Sequence, residues 1–435
     1  KDINGDAKED VFFGSAKFEK SAIYFQTKNG FEKQSISALE NDAPSEDISA
    51  IIEDFDQNGE NDLLVISGGG EYYGENKALL DRLYLQQDKK FSKVEFPEYF
   101  ENGSVVKAAD YDNDGDLDLF IGSAAVSNDF GNIPQSFLLK NENGSFSIDK
   151  ENNLGKIGMV TDAIWTDFNK DGQIDLIVVG EWMAPKFYKN QKGKLISYKI
   201  DHHLKGLWQS IAEFDIDGDG DKDYLLGNWG LNTKLKANRD NPLKMYYLDF
   251  DANGSTETIL AQEKNGNYYP VNGLDMLVGQ LAYLRKKFPD YKSFAGKTIE
   301  EIFDKEQLEK AEILKVETLA SGYLLNENGN FSFKAFKNPL QVAPITAFLE
   351  HDFNKDGKTE VLVGGNYFGT IPYHGKFDQL AGIMLQSVDT LMEAKDLGIN
   401  FTQKAVISFN ILNLEDREYL LVTYNNNKPE VYKLN

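Results

Sequence analysis

Seven stretches of this chain place oxygen-bearing side chains at alternate positions, in the order Asp-x-Asp/Asn-x-Asp/Asn-x-x-x-Asp/Glu. The first holds Asp2, Asn4, Asp6 and Asp10, and the second Asp54, Asp56, Asn58 and Asp62. The third holds Asp110, Asp112, Asp114 and Asp118, and the fourth Asp167, Asn169, Asp171 and Asp175. The fifth holds Asp215, Asp217, Asp219 and Asp223, the sixth Asp249, Asp251, Asn253 and Glu257, and the seventh Asp352, Asn354, Asp356 and Glu360. Alternation over the first five positions puts three hard oxygen donors on the inside of a tight loop, and the acid at position nine closes the shell. Glycine at position six (Gly59, Gly115, Gly172, Gly220, Gly254, Gly357) permits the sharp turn, because it reaches positive φ without a Cβ clash. The first ladder has Ala7 there instead, which marks it as the weakest turn.

An all-oxygen donor set suits Ca2+, which takes roughly 6–8 oxygens at about 2.3–2.6 Å. Mg2+ holds on to its waters and fits less well. The chain has no cysteine, and His351 precedes a ladder without entering it, so zinc and copper lack their usual donors. An EF-hand loop would need Glu at position 12 and flanking helices. Val65, Ile121, Val178 and Leu226 stand there instead. One such ladder alone would be an ordinary Asp/Asn/Gly turn; seven with one spacing point to up to seven bound Ca2+ ions.

The ladders run into short apolar segments: Val11–Gly14, Leu63–Ile66, Leu119–Gly122, Leu176–Gly180, Tyr224–Gly227 and Val361–Gly364. Apolar runs of this length bounded by turn residues read as buried strands. Each unit then reads as strand, acidic loop, strand, variable loop, and a hairpin closed by a tight turn such as Asn143-Gly144 or Asn328-Gly329. Four strands with their turns need about 40–50 residues, close to the ladder spacing. A ladder-less unit at Val406–Phe409, Tyr419–Val422 and Val431–Tyr432 makes eight repeats. The expected fold is all-β: a seven- or eight-bladed β-propeller over residues 1–435, its first strand expected upstream of Asp2. The short step from Asp215 to Asp249 allows two ladders to share one blade. Leu274–Leu284 and Thr298–Leu314 carry helical periodicity, so residues 274–315 read as a helical insertion. Phe294–Thr298 faintly resembles a phosphate loop but lacks its first glycine and a preceding strand.

The formal net charge is −24, and much of it sits at ladder positions, where seven divalent cations would cancel more than half. That acidity argues against nucleic acid, which selects basic surfaces. No run in the sequence is long and apolar enough to read as a transmembrane segment.

The ladder followed by an apolar strand ending in Gly resembles the FG-GAP/VCBS repeat of integrin-α-like β-propellers. Longer stretches extend the resemblance: Asp81–Asp88, Gly180-Glu181-Trp182-Met183, Gly227–Ala237 and the Phe288-Pro289 insert are similar to the C-terminal FG-GAP region of large VCBS-repeat, ASPIC/UnbV-associated proteins of Bacteroidetes-type bacteria. The resemblance implies Ca2+ in the ladder loops and an extracytoplasmic setting, at the cell surface, outer membrane or periplasm.

If the ladders occupy one face, the loops after the second strands emerge on the other. They carry Tyr72, Trp182, Trp229 and Tyr367, with amides beside them. Aromatic platforms next to polar groups suit a protein or glycan partner. A rival reading is a polysaccharide lyase, as in some Ca2+-rich propellers. It would need a base such as His or Tyr near a substrate carboxylate, and His202-His203 and Tyr373-His374 are the suggestive pairs. A third reading is a purely structural module of a larger surface protein.

Overall fold

The computed structural model of the chain describes all residues except 201, 202, 372, 374, 415, 416 and 435. His202 and His374 therefore lie outside the described residues. Strands dominate, helices are few and short, and every sheet is antiparallel.

The sheet carrying the Asp54 ladder shows the plan. Its strands Glu46–Glu53, Asp62–Gly68, Arg82–Gln87 and Lys90–Lys93 lie side by side in chain order. The ladder is the loop between the first two, whose register runs from Glu53 opposite Asp62 to Glu46 opposite Gly68. The second strand is buried along its whole length. Its two faces pack on different neighbours, which explains an apolar run without alternation. Leu63 and Val65 join Ile3 and Ile23 of the preceding sheet. Leu64 and Ile66 join Val106, Leu119 and Ile121 of the following one. Each such side chain contributes on the order of 1.5–3 kcal/mol by leaving water. The same sandwiching recurs down the chain, in Leu176 and Val178 against Phe120, and in Leu362 against Val406 and Leu420.

First strands of neighbouring sheets are also tied by hydroxyls. Ser104 Oγ donates to Val160 O (2.7 Å), Thr161 Oγ1 to Trp208 O (2.9 Å), and Thr346 Oγ1 to Val406 O (2.6 Å). All three residues sit where the strand register slips. A bulged residue leaves its own ladder, and here its side chain reaches the next sheet. Between the last and first sheets, Asn413 N donates to Glu9 Oε2 (2.7 Å) and Gln26 Nε2 to Asn413 O (3.4 Å).

The sixth ladder departs from the sequence walk. Its sheet, ordered Asn267–Pro270, Glu257–Lys264, Leu243–Leu248 and Glu312–Val316, lies in the chain between the second and third strands of the Asp215 sheet. The Asp215 sheet resumes at Gly322–Glu327, which pairs with Asp223–Gly227. Strand spacing alone counts this nested sheet as one more repeat, because it carries the same ladder.

The insertion is also less helical than its periodicity suggests. It contains Leu274–Gln280, Leu284–Lys287, Tyr291–Phe294, Ile299–Ile302 and Lys305–Lys310. Thr298 and Glu301 cap the fourth of these reciprocally, and Gln307 accepts from Asp304 N (2.8 Å) to start the next. These caps break the expected Thr298–Leu314 helix into single turns. Glu312–Leu314 belong to a strand that pairs with Leu243–Leu248. Leu274, Leu277, Leu284, Ile299 and Phe303 pack on Tyr246, Phe250 and Ile259, so the helices cover one face of the nested sheet.

Candidate metal centres and the opposite face

Each ladder is held open by its own backbone. The first acid accepts from the N–H groups of positions five and six: Asn58 N and Gly59 N to Asp54 (3.1 and 2.9 Å), Asp171 N and Gly172 N to Asp167 (3.1 and 2.8 Å). The position-five oxygen accepts from position seven, as in Asp116 N to Asp114 (2.9 Å) and Ser255 N to Asn253 (2.7 Å). Position four adopts positive φ in all seven ladders, at Gly5, Gln57, Asn113, Lys170, Gly218, Ala252 and Lys355. The first ladder has Gly5 there, and Ala7 still takes φ 65° at position six, so the turn forms without the expected glycine.

The position-nine acid is the buried member. Asp62 accepts from Phe55 N (2.9 Å) and from Gln86 N (2.7 Å) in the third strand. Asp118, Asp175 and Asp223 accept from the matching third-strand residues Asn141, Asn190 and Asn326, and Asp10 from Gln26 in the strand Ala22–Thr27, all at 2.7–2.9 Å. Positions one, three and nine converge in four ladders, with one oxygen from each within 4.8 Å of the others: Asp54, Asp56 and Asp62; Asp110, Asp112 and Asp118; Asp215, Asp217 and Asp223; Asp249, Asp251 and Glu257. In the other three, position three is Asn4, Asn169 or Asn354. Asn169 and Asn354 donate to the position-nine acid (both 2.6 Å).

These groups can hold metal ions, and two observations fit them to a cation. Asp112 Oδ1, Asp118 Oδ2 and Asn4 Oδ1 are buried acceptors without a hydrogen-bond partner, a costly state unless something positive meets them. Burial first, and then the neighbouring ladder carboxylates, push Asp62 and Asp223 up to about 6 and Asp118 up to about 7. Burial raises Asp175 to about 7 as well. A carboxylate raised in this way holds its proton in the metal-free fold. A cation must displace that proton below about pH 6–7. Calcium affinity measured by titration calorimetry should therefore fall as pH drops from 7.5 to 5.5, with protons released on binding. Affinity that is flat across this range would contradict the site.

The ties from the third strands escaped the sequence reading. Asn141 Nδ2 donates to Phe55 O (2.9 Å), Asn190 Nδ2 to Tyr111 O (2.6 Å), and Asn326 Nδ2 to Phe168 O (3.2 Å). Each reaches the second residue of the preceding ladder, and each Asn Oδ1 accepts from a turn glycine three residues on. The signal was present as Asn-x-x-Gly in three hairpins.

At the far ends of the second strands stand the aromatic candidates. Trp229 and Tyr367 meet, with ring centres 5.3 Å apart, and Phe377 packs on Trp229 at 5.5 Å. Two buried asparagines set this pair. Asn228 Oδ1 accepts from Trp229 N (2.8 Å) and Leu207 N (3.1 Å). Asn366, at φ 81°, accepts from Leu380 N and donates to Lys404 O (both 2.9 Å). Trp182 packs with Trp229 against Leu207, Leu243, Val316 and Leu319. Tyr72 stands apart, its hydroxyl on Pro44 O (2.8 Å) and Lys17 over its ring. No described helix is long and apolar enough to cross a membrane.

Residues 54–121 and 167–226 match the model of the FG-GAP-like repeat, and each stretch runs from one ladder through the next and into the strand that follows it. The chain carries FG-GAP-like repeats. Cartilage acidic protein 1 of Mus musculus is 27% identical over 193 residues, which are 42% of this chain and 28% of that protein. The chain thus spans well under a third of that relative. Among solved structures, the V. cholerae biofilm matrix protein Bap1 aligns with 100% of this chain and 86% of its own at 12% identity and a TM-score of 0.38. Saccharomyces cerevisiae Sqt1 aligns with 98% and 93% at 8% identity and 0.47. Likenesses this weak carry nothing to the FG-GAP-like ladders or to the aromatic face.

Proposed function

We propose that this chain is a calcium-stabilised, extracytoplasmic β-propeller that serves as a non-catalytic binding or scaffold module for a protein or glycan partner. The carrying observation is the division of labour along each sheet. Convergent oxygen donors sit at the start of the second strand, and the Trp229–Tyr367 pair sits beyond its end. Ca2+ is the ion that a wholly oxygen-lined, many-carboxylate loop favours. Seven blades are favoured over eight because the Asp249 sheet is nested within another, and ring closure is supported by the Asn413 bonds to Glu9 and Gln26. The setting follows from the FG-GAP resemblance.

The test screens calcium-loaded protein on a glycan array and then measures the best binder. Trp229→Ala and Tyr367→Ala should each weaken binding at least tenfold, roughly 1.4 kcal/mol, while Tyr72→Ala leaves it unchanged. Unaltered affinity in both variants would sink the aromatic-face reading. Unsaturated sugar products from acidic polysaccharides would move the chain to the lyase class.

A further inference from the structure

A cavity of about 430 Å³ lies at the ladder-distal end of the Asp167 sheet, where that sheet meets Leu314 of the nested one. Its size falls within the range of small-molecule sites, roughly 300–1,000 Å³. Trp182, Met183, Pro185 and Leu314 give it apolar walls, and Lys186, Lys199 and Lys205 also line it. Lys199 and Lys205 are exposed at its edge, and Lys186 alone is drawn partly into the protein.

None of these three lysines forms an ion pair among the described residues, although eighteen other lysines and arginines do. Lys186 is the most telling. Its side chain is half-buried at the start of the strand Lys186–Asn190, and burial alone pulls its ammonium below the usual range, with no carboxylate offsetting it. A cation placed in apolar surroundings without a partner is a cost that an anion would relieve. Among the described residues the one acid on the wall, Glu181, is held by Gln209 Nε2 (2.8 Å).

The cavity is also shaped at some expense. Trp182 is held at φ 58°, a left-handed conformation that costs a bulky residue on the order of 1–3 kcal/mol. The strand register slips between Glu181 and Met183 at the same point. Gly158, at φ 147°, lies against Met183, and a Cβ there would come within 2.3 Å of its sulfur. Strain, a bulge and a close glycine converge on one wall.

We propose that this cavity binds an amphipathic organic anion, an apolar ring system or chain bearing one carboxylate or sulfonate, with Lys186 receiving the charged end. The cavity adjoins the aromatic face through Trp182, but neither Trp229 nor Tyr367 lines it, so Lys186→Met and Leu314→Trp test it apart from the Trp229→Ala and Tyr367→Ala test of partner binding.

The experiment compares two fluorescent probes on calcium-loaded, folded protein: 8-anilinonaphthalene-1-sulfonate and its uncharged relative N-phenyl-1-naphthylamine. The sulfonate should bind about one per chain and at least tenfold more tightly than the neutral probe. Lys186→Met should weaken the sulfonate about tenfold, leave the neutral probe unchanged and not lower the melting temperature. Leu314→Trp should fill the cavity and weaken both. Equal affinity of the two probes, no saturable binding of either, or sulfonate binding that ignores Lys186→Met would overturn the proposal. Binding of both probes that ignores Leu314→Trp would overturn the location.

Discussion

Chelation with EDTA should lower the melting temperature of this protein steeply. Added Ca2+ should restore it, and Mg2+ at the same concentration should restore much less. The reason lies in where the ladders sit. Six of the seven join the first strand of a sheet to the second, and in four of these the position-nine acid also accepts from the third strand, as Asp62 does from Gln86. Without a cation, converging acids such as Asp110, Asp112 and Asp118 face one another within 4.8 Å and repel. An ion that binds only the folded chain stabilises it by linkage, about 2.7 kcal/mol per site at a hundredfold excess over Kd. Several sites acting together would dominate the stability of the whole chain. The Asp110 ladder, with two buried unpartnered oxygens, should hold its ion most tightly. The check is a calorimetric melt of protein first shown by elemental analysis to carry metal. A melting curve indifferent to chelation would remove the structural role of the ladders.

The second large effect involves no metal. Asp47→Ala, measured by chemical denaturation in saturating Ca2+, should cost about 3–5 kcal/mol, the usual price of stranding a buried charge. Asp47 Oδ1 lies 2.7 Å from Arg82 Nη2, and the two side chains are only 3% and 4% exposed. Asp47 also accepts from Ser15 N (3.0 Å) and from the Ser21 hydroxyl, both in the loop between the strands Val11–Phe13 and Ala22–Thr27 of the first sheet. It thus ties that sheet to the second. Adding Arg82→Met to Asp47→Ala should recover most of the loss, because the stranded guanidinium is gone. A single substitution costing under about 1 kcal/mol would show that the pair is solvated in solution.

The sequence made the acidic ladders readable because their pattern is local. Four oxygen-bearing side chains within nine residues, a turn and a following strand leave a pattern that spacing alone reveals. The buried second strands were readable for the same reason. What stayed hidden depends on residues far apart in the chain. Nothing local says that Asn326 bonds both Asp223 and Phe168 O. Thr346 looks like any strand threonine until a bulge turns its hydroxyl to Val406 O. Helical periodicity in Glu312–Leu314 was overridden by pairing with Leu243–Leu248, as tertiary context often overrides local preference. The aromatic loops carried a usable hint, Gly-Asn before Trp229 and again before Tyr367. Its meaning depends on burial of the asparagine, which the sequence does not display.

The nested sheet has a consequence for synthesis. The Asp215 sheet holds its second strand, Asp223–Gly227, long before its third, Gly322–Glu327, exists. A ribosome adding about 5–20 residues per second would leave that strand's outer edge unpaired for roughly 5–20 s. An open apolar edge of that kind recruits other strands. The inserted residues carry their own compact core of Leu274, Leu277 and Phe303 on Tyr246 and Phe250. That core can form on its own schedule and hold the two halves of the interrupted sheet near each other. Newborn chains stalled between Asp249 and Gly322 are therefore the population in which chaperone capture should concentrate.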